Sequence, residues 1–286
     1  MITRGIETVS YGMQALLDFE DVTAHNLANV TTNGFKKSNI TFQDIMSAKV
    51  QAKNAQGKTK DVGTLSNGVR TDRTYVDFSQ GGLQETGYKL DLALQGKGFF
   101  KIRYQDVKDD NTPYNEHNFY YQRVGDFKMD NENYLVNSDG DYVMDIENKK
   151  IKITRDRQTQ DKLEMNRMDI EQDLLVSETG NIELNSAGYR TNLQKIQVCD
   201  FEDKTNVSQI GQGKYLPIYG KDAGLHTLKD GEYSIQQGML EMSNANTISE
   251  MLNTINVSRG YETMSTMLKT QSDTLSRAIS LGNISG

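Results

Sequence analysis

The sequence has no tryptophan, one cysteine, two prolines and three histidines in 286 residues. A single cysteine, Cys199, cannot close an intramolecular disulfide, and with no Cys or His near it in sequence it completes no zinc set. Disulfide scaffolds and zinc modules are excluded. No apolar run approaches the roughly 20 residues that cross a bilayer, so no membrane insertion is expected. Glu7 interrupts the opening MITRGIETVS where a secretory leader needs an apolar stretch, so no cleaved signal peptide is expected either. Lys and Arg number 32 against 39 Asp and Glu, a net charge of −7, the wrong sign for a general nucleic-acid binder.

Catalytic signatures are also scarce. His25, His117 and His226 sit in unrelated contexts and no Gly-x-Ser-x-Gly occurs, so a Ser-His-Asp reading has no support. Gly96-Lys97-Gly98 lacks both the dinucleotide fingerprint and the Lys-Ser/Thr ending of a phosphate loop, and reads as a tight approach into a strand. Asp130, Glu132, Asp139 and Asp141 miss the calcium-loop spacing, and turn chemistry accounts for Asp139-Gly140. Two of the 39 acids could pair as in a glycosidase, but no spacing singles any out. The expectation is no catalytic residue, no metal and no cofactor.

What is present is organised in three parts. Pro113 and Pro217, the only prolines, leave both ends free to be long helices. Ile2, Ile6, Val9, Met13, Leu16, Glu20, Thr23, Leu27 and Val30 fall on a heptad seam, seven of the nine being apolar. Near the C-terminus the pattern returns as Ile248, Met251, Leu252, Ile255 and then Val257, Tyr261, Met264, Leu268, Leu275, over a helix about 50 Å long. The middle is rich in Gly, Asn, Asp, Tyr and Thr, with recurrent turn dipeptides such as Asn67-Gly68, Asp139-Gly140 and Asp230-Gly231. Candidate strands are 90–94, 99–104, 119–124, 134–136, 142–144, 174–178, 182–184, 195–201 and 215–218. The expected fold is α+β. N- and C-terminal helices (1–38 and 240–286) pair as a coiled-coil-like domain, an arm (39–77) connects them onward, and an all-β domain (78–239) is inserted between them. Residues 49–60, with four lysines and no acid before Asp61, read as a mobile arm or an interface segment. Apolar stripes on both ends suit self-association, and a head-to-tail contact that does not close gives a helical filament or tube.

Residues 25–37, HNLANVTTNGFKK, resemble the N-terminal signature of flagellar rod and hook proteins, A-x-N-L-A-N-x-x-T-x-G-[FY]-[KR]. Asn26, Leu27, Ala28, Asn29, Thr32, Gly34, Phe35 and Lys36 fall on it, and His25 stands where Asn or Ser is usual. Three further blocks follow in the family's order. They are Ser79-Gln80-Gly81-Gly82-Leu83 with 90–100 (LDLALQGKGFF), then Tyr121-Gln122-Arg123-Val124-Gly125-Asp126-Phe127 leading to 137–143, and finally Gln237-Gly238-Met239-Leu240-Glu241-Met242-Ser243-Asn244 with Arg259-Gly260-Tyr261-Glu262.

The resemblance implies a non-enzymatic structural subunit of the flagellar basal body. Copies would stack into a helical tube around the export channel and carry torque from motor to hook. Its implied partners are itself, neighbouring rod and hook proteins, the surrounding ring proteins and the flagellar type III export apparatus, which takes subunits lacking a cleaved leader. Chain length, the span 42–69 and Gly68-Val69-Arg70 favour the distal rod type over its proximal paralogue. An adhesin or secreted filament shares the two-ended helical layout but has no reason to carry the 25–37 signature, and a wall-degrading enzyme would need a carboxylate whose loss abolishes turnover.

Overall fold

The computed structural model describes residues 2–45, 48–53, 59–65, 67–105, 118–153, 173–186, 189–211, 213–218 and 223–283. Two long helices, α1 (Ile2–Ala28) and α2 (Thr247–Asn283), bracket twenty strands among them. Asn246 starts α2 by accepting the amides of Ile248 (3.0 Å) and Ser249 (3.2 Å) on Oδ1, which satisfies two of the donors every helix leaves open at its start. The chain divides into two compact units: residues 1–30, 37–77 and 245–286 form the first, and 31–36 with 78–244 the second.

In the first unit α1 and α2 pack antiparallel over small residues. Cβ atoms built on Gly5, Gly12 and Gly260 would meet Gln271 (3.1 Å), Met264 (2.9 Å) and Leu16 (3.2 Å). Strands Ser38–Asp44 and Val69–Val76 pair antiparallel, with a bulge at Thr41/Phe42. This ladder is pinned to α1 by Thr71 Oγ1 donating to Asp18 Oδ2 and by Phe19 edge-on to Phe42 at 6.1 Å. Ala48–Lys53 and Thr59–Leu65 form a second antiparallel ladder.

The expected fold class is therefore corrected. The terminal helices do not make a coiled-coil-like helical domain with all the β structure inserted elsewhere, because the unit that holds them also holds these four strands. Nor does one seam run the length of α2. Val9 is buried and Ile6, Met13 and Leu16 are half-buried on α1, while Val257 is buried and Tyr261, Met264, Leu268 and Leu275 are half-buried on α2. Ile248, Met251, Leu252 and Ile255 are instead between 48% and 71% exposed. The reason is angular. From Ile255 to Val257 is a step of two residues, about 200° around a helix, so the two apolar runs lie on opposite faces. The side chain of Ile2 lies outside the described residues.

The second unit is a β structure around Leu92, Leu94, Phe100, Ile102, Tyr120, Val143, Ile151, Ile182, Ile196 and Ile235. Its main sheet runs Val207–Gln209, Lys214–Pro217, Phe119–Gln122, Phe99–Arg103, Tyr142–Val143, Leu135–Val136 and Lys128–Met129. Val198–Phe201 joins it on Phe99–Arg103 and pairs in turn with Leu225–Thr227. A three-stranded sheet (Leu174–Val176, Asn181–Ser186, Tyr189–Lys195) and the ladders Leu92–Gly96 with Tyr233–Gln237 and Leu83–Glu85 with Met239–Glu241 complete it. Each of the nine candidate strands overlaps an observed one, but 195–201 straddles two, Tyr189–Lys195 and Val198–Phe201. Two of the acids that miss the calcium-loop spacing serve a turn and a neighbour: Asp130 Oδ1 accepts the amides of Glu132 and Tyr134, and Asp141 Oδ2 accepts the Tyr120 hydroxyl at 2.6 Å.

Candidate functional site

The 25–37 segment straddles the two units, and its polar residues do different work in each. In the first, the Asn26 amide behaves like a strand partner: Nδ2 donates to Ser38 O and Oδ1 accepts Ser38 N–H, both at 2.8 Å. That pair closes the end of α1 onto the start of the next strand. Asn29 Nδ2 donates to His25 O at 2.8 Å, taking up a carbonyl that the helix end leaves open. Leu27 is half-buried and Ala28 exposed.

In the second unit Thr32, Gly34, Phe35 and Lys36 form a short strap. Phe35 N–H donates to Thr32 O at 3.3 Å, and Gly34 N–H to Glu241 O at 2.6 Å. Gly34 has φ +63°, and a Cβ there would lie 2.5 Å from Val124 Cγ2, so only glycine fits. Phe35 is buried. Lys36 is only 1% exposed, and its Nζ donates to Glu241 Oε1 (2.6 Å) and Ser79 O (2.7 Å).

Glu241, 2% exposed, is the centre of this arrangement. Oε1 also accepts Gly81 N–H at 2.8 Å, and Oε2 accepts Arg123 Nε. The rest of the buried Arg123 guanidinium donates to the carbonyls of Leu94 (2.9 Å), Gly96 (2.6 Å) and Gly98, so the Gly96-Lys97-Gly98 turn is held by an arginine behind it. Asn244 completes the set: its N–H donates to Phe35 O (3.3 Å) and its Nδ2 to Ser79 O (3.1 Å) and Oγ (3.0 Å). Burial, with the Glu241 charge behind it, pushes the nearby Tyr215 phenol well above its usual range. One carboxylate thus meets two cations and a backbone amide, and the cations in turn hold the carbonyls of Ser79, Leu94, Gly96 and Gly98. Such a buried charge cluster is by itself weak evidence of stability, because desolvation offsets much of the attraction between its charges.

Thr32, Gly34, Phe35 and Lys36 therefore converge, Asn26 and Asn29 act at the helix end, and the residues expected on the helical seam split between two faces of α2. Arg123 and Glu241 were not singled out from the sequence, although Arg123 directly follows the strand Phe119–Gln122 and Glu241 ends the strand Met239–Glu241 after two apolar residues.

Residues 93–212 match the family described as the flagellar hook protein FlgE/F/G D1 domain, and residues 236–281 match the flagellar basal body rod FlgEFG protein C-terminal. The chain carries two domains of the flagellar rod and hook protein family. Flagellar basal-body rod protein FlgG of Bacillus subtilis is 28% identical over 94% of this chain and 97% of its own length. FlgG of Borreliella burgdorferi is 28% identical over 97% of this chain and 98% of its own. Flagellar hook protein FlgE of Helicobacter pylori is 37% identical over 45% of this chain and 17% of its own length. In rod and hook terms, the buried cluster draws on all four sequence blocks: Lys36 from the first, Ser79 and Gly81 with the 94–98 carbonyls from the second, Arg123 from the third and Glu241 from the fourth.

Proposed function

We propose that this chain is a structural subunit of the bacterial flagellar rod, of the distal type. It polymerises with copies of itself and with neighbouring rod and hook proteins into a tube that carries torque. The near full-length likeness to FlgG sets the class of protein. The observation on the molecule that carries the reading is the second apolar face of α2: Ile248, Met251, Leu252 and Ile255, spaced i, i+3, i+4, i+7, point away from the face that packs on α1. Full burial of one such side chain is worth about 1.5–3 kcal/mol, so a second copy covering the ridge gains appreciably from it. Assembly also places the subunit inside the surrounding ring proteins and requires delivery through the flagellar type III apparatus. Among the described residues no helix is long and apolar enough to cross a membrane.

Deleting the gene in its host and imaging purified basal bodies tests this reading. Bodies with a shortened rod and no hook are expected, with stump length distinguishing a distal from a proximal role; complete bodies with hooks would overturn it.

A further inference from the structure

The chain enters the second unit at Thr31, leaves at Lys36, returns at Phe78 and leaves for good at Asn244. Inside that unit the residues beside these crossings are bonded to one another: Lys36 to Ser79 and Glu241, Asn244 to Phe35 and Ser79, Gly34 to Glu241. The strap 31–36 supplies no member of the main apolar cluster. Phe35 is its only buried apolar side chain, and its other ties are polar, two of them to Glu241, one at the carboxylate and one at the main-chain carbonyl. Lys36 and Glu241 are 205 residues apart in sequence, so the strap closes only when the last strand of the unit is in place.

We propose that Glu241 is a latch: it holds residues 31–36 shut, and the strap opens as a piece while the β core stays folded. Two features separate strap from core. The core cluster is apolar and shared among many strands, so it does not need the strap. The strap's one charge-assisted tie to an anion runs from Lys36 Nζ to the fully buried Glu241 carboxylate, a bond that is strong when complete and weakened when the acceptor's charge is removed, while Gly34 N–H meets only the Glu241 main-chain carbonyl. Because Lys36 bonds the Glu241 carboxylate, Gly34 the Glu241 main-chain carbonyl and Phe35 O the amide of Asn244 three residues on, release at the carboxylate loosens the chain beside both crossings, at Lys36 and at Asn244. Local opening of this kind, below the energy of global unfolding, is the usual behaviour of segments with few apolar contacts.

The test uses the full chain carrying Glu241→Gln, and separately Lys36→Met, which leaves the Glu241–Arg123 pair intact and the interior charge-balanced. Amide hydrogen exchange is read at 31–37 and 241–244 and compared with Leu92–Gly96 and Phe99–Arg103, alongside trypsin cleavage at Lys36-Lys37. Exchange at Gly34 and Phe35 is expected to rise by about tenfold or more, on the scale of one lost charge-assisted hydrogen bond, with unchanged core protection and new cleavage after Lys37 in both variants, and also after Lys36 in Glu241→Gln. Core amides losing protection together with the strap would overturn the proposal, since Glu241 would then be part of one cooperative core. So would unchanged exchange in both regions, since Phe35 and the main-chain bonds would then hold the strap without the Glu241 carboxylate. If Glu241→Gln fails to fold, Lys36→Met decides between the same outcomes.

Discussion

Gly125 sits where two backbones come so close that a Cβ would lie 1.9 Å from Leu92 O, and Leu92 N–H donates to Gly125 O at 2.9 Å. Neither side can yield, because both are backbone in a bonded pair. Gly125→Ala is expected to cost about 3 kcal/mol or more, at the upper end of overpacking effects, read as a lowered urea midpoint with the slope unchanged. Cys199 offers a pH-dependent counterpart. Burial in strand Val198–Phe201 pushes its thiol up from 9.0 to about 11. A raised folded value means that the unfolded chain loses its proton first. The thiol's contribution is therefore present in full below about pH 9 and is lost as pH rises from there to about 11, where it amounts to roughly 2–3 kcal/mol. Tyr120 and Tyr215, both raised chiefly by burial, add to the loss above their ordinary value of 10. Denaturant titrations at pH 8 and pH 11 should show this fall, and Cys199→Ala should make it shallower.

At the level of elements, the join between α1 and its following strand rests on Asn26. Asn26→Ala removes both bonds to Ser38 and leaves a backbone donor and acceptor to find water, at a cost of about 2–3 kcal/mol. Exchange of the Ser38 amide should speed up, while amides of Leu92–Gly96 in the other unit keep their protection. Much of this element structure is legible in the sequence. Turn dipeptides located nine strands, and the heptad run located α1 to within two residues at each end. The ladder Ser38–Asp44 with Val69–Val76 was not legible, because its side chains are largely exposed or half-buried and so show no clean apolar alternation. The two faces of α2 were readable in principle from the two-residue step between Ile255 and Val257. Reading both runs as one seam treated spacing within each run as if it held across the break. Within the candidate site, the signature marked Gly34 and Lys36, but the partner of Lys36 lies 205 residues away, and a lone Glu in a short strand carries no local sign of what it meets.

For the whole molecule, the two-residue step between Ile255 and Val257 separates two kinds of apolar surface on one helix. The face of α2 carrying Val257, Tyr261, Met264 and Leu268 is spent on α1 within the subunit, whereas the ridge of Ile248, Met251, Leu252 and Ile255 is free for a second copy. Charges placed on the two faces should therefore fail in different ways. Leu252→Asp sits on an exposed face, where a charge is well solvated, so the monomer should keep its helicity and thermal midpoint to within about 0.5 kcal/mol. Polymerisation by the purified chain, followed by sedimentation and electron microscopy, should be lost, because a second copy would have to bury an unpaired carboxylate. Leu268→Asp puts the same charge against α1 and should lower the stability of the helical unit itself, by about 2–4 kcal/mol, before assembly is tested. If Leu252→Asp assembles as well as the unaltered chain, the ridge is not the contact between copies. If Leu268→Asp leaves helicity and stability unchanged, the pairing of α1 with α2 is not what holds that unit together, and the assignment of the two faces is reversed.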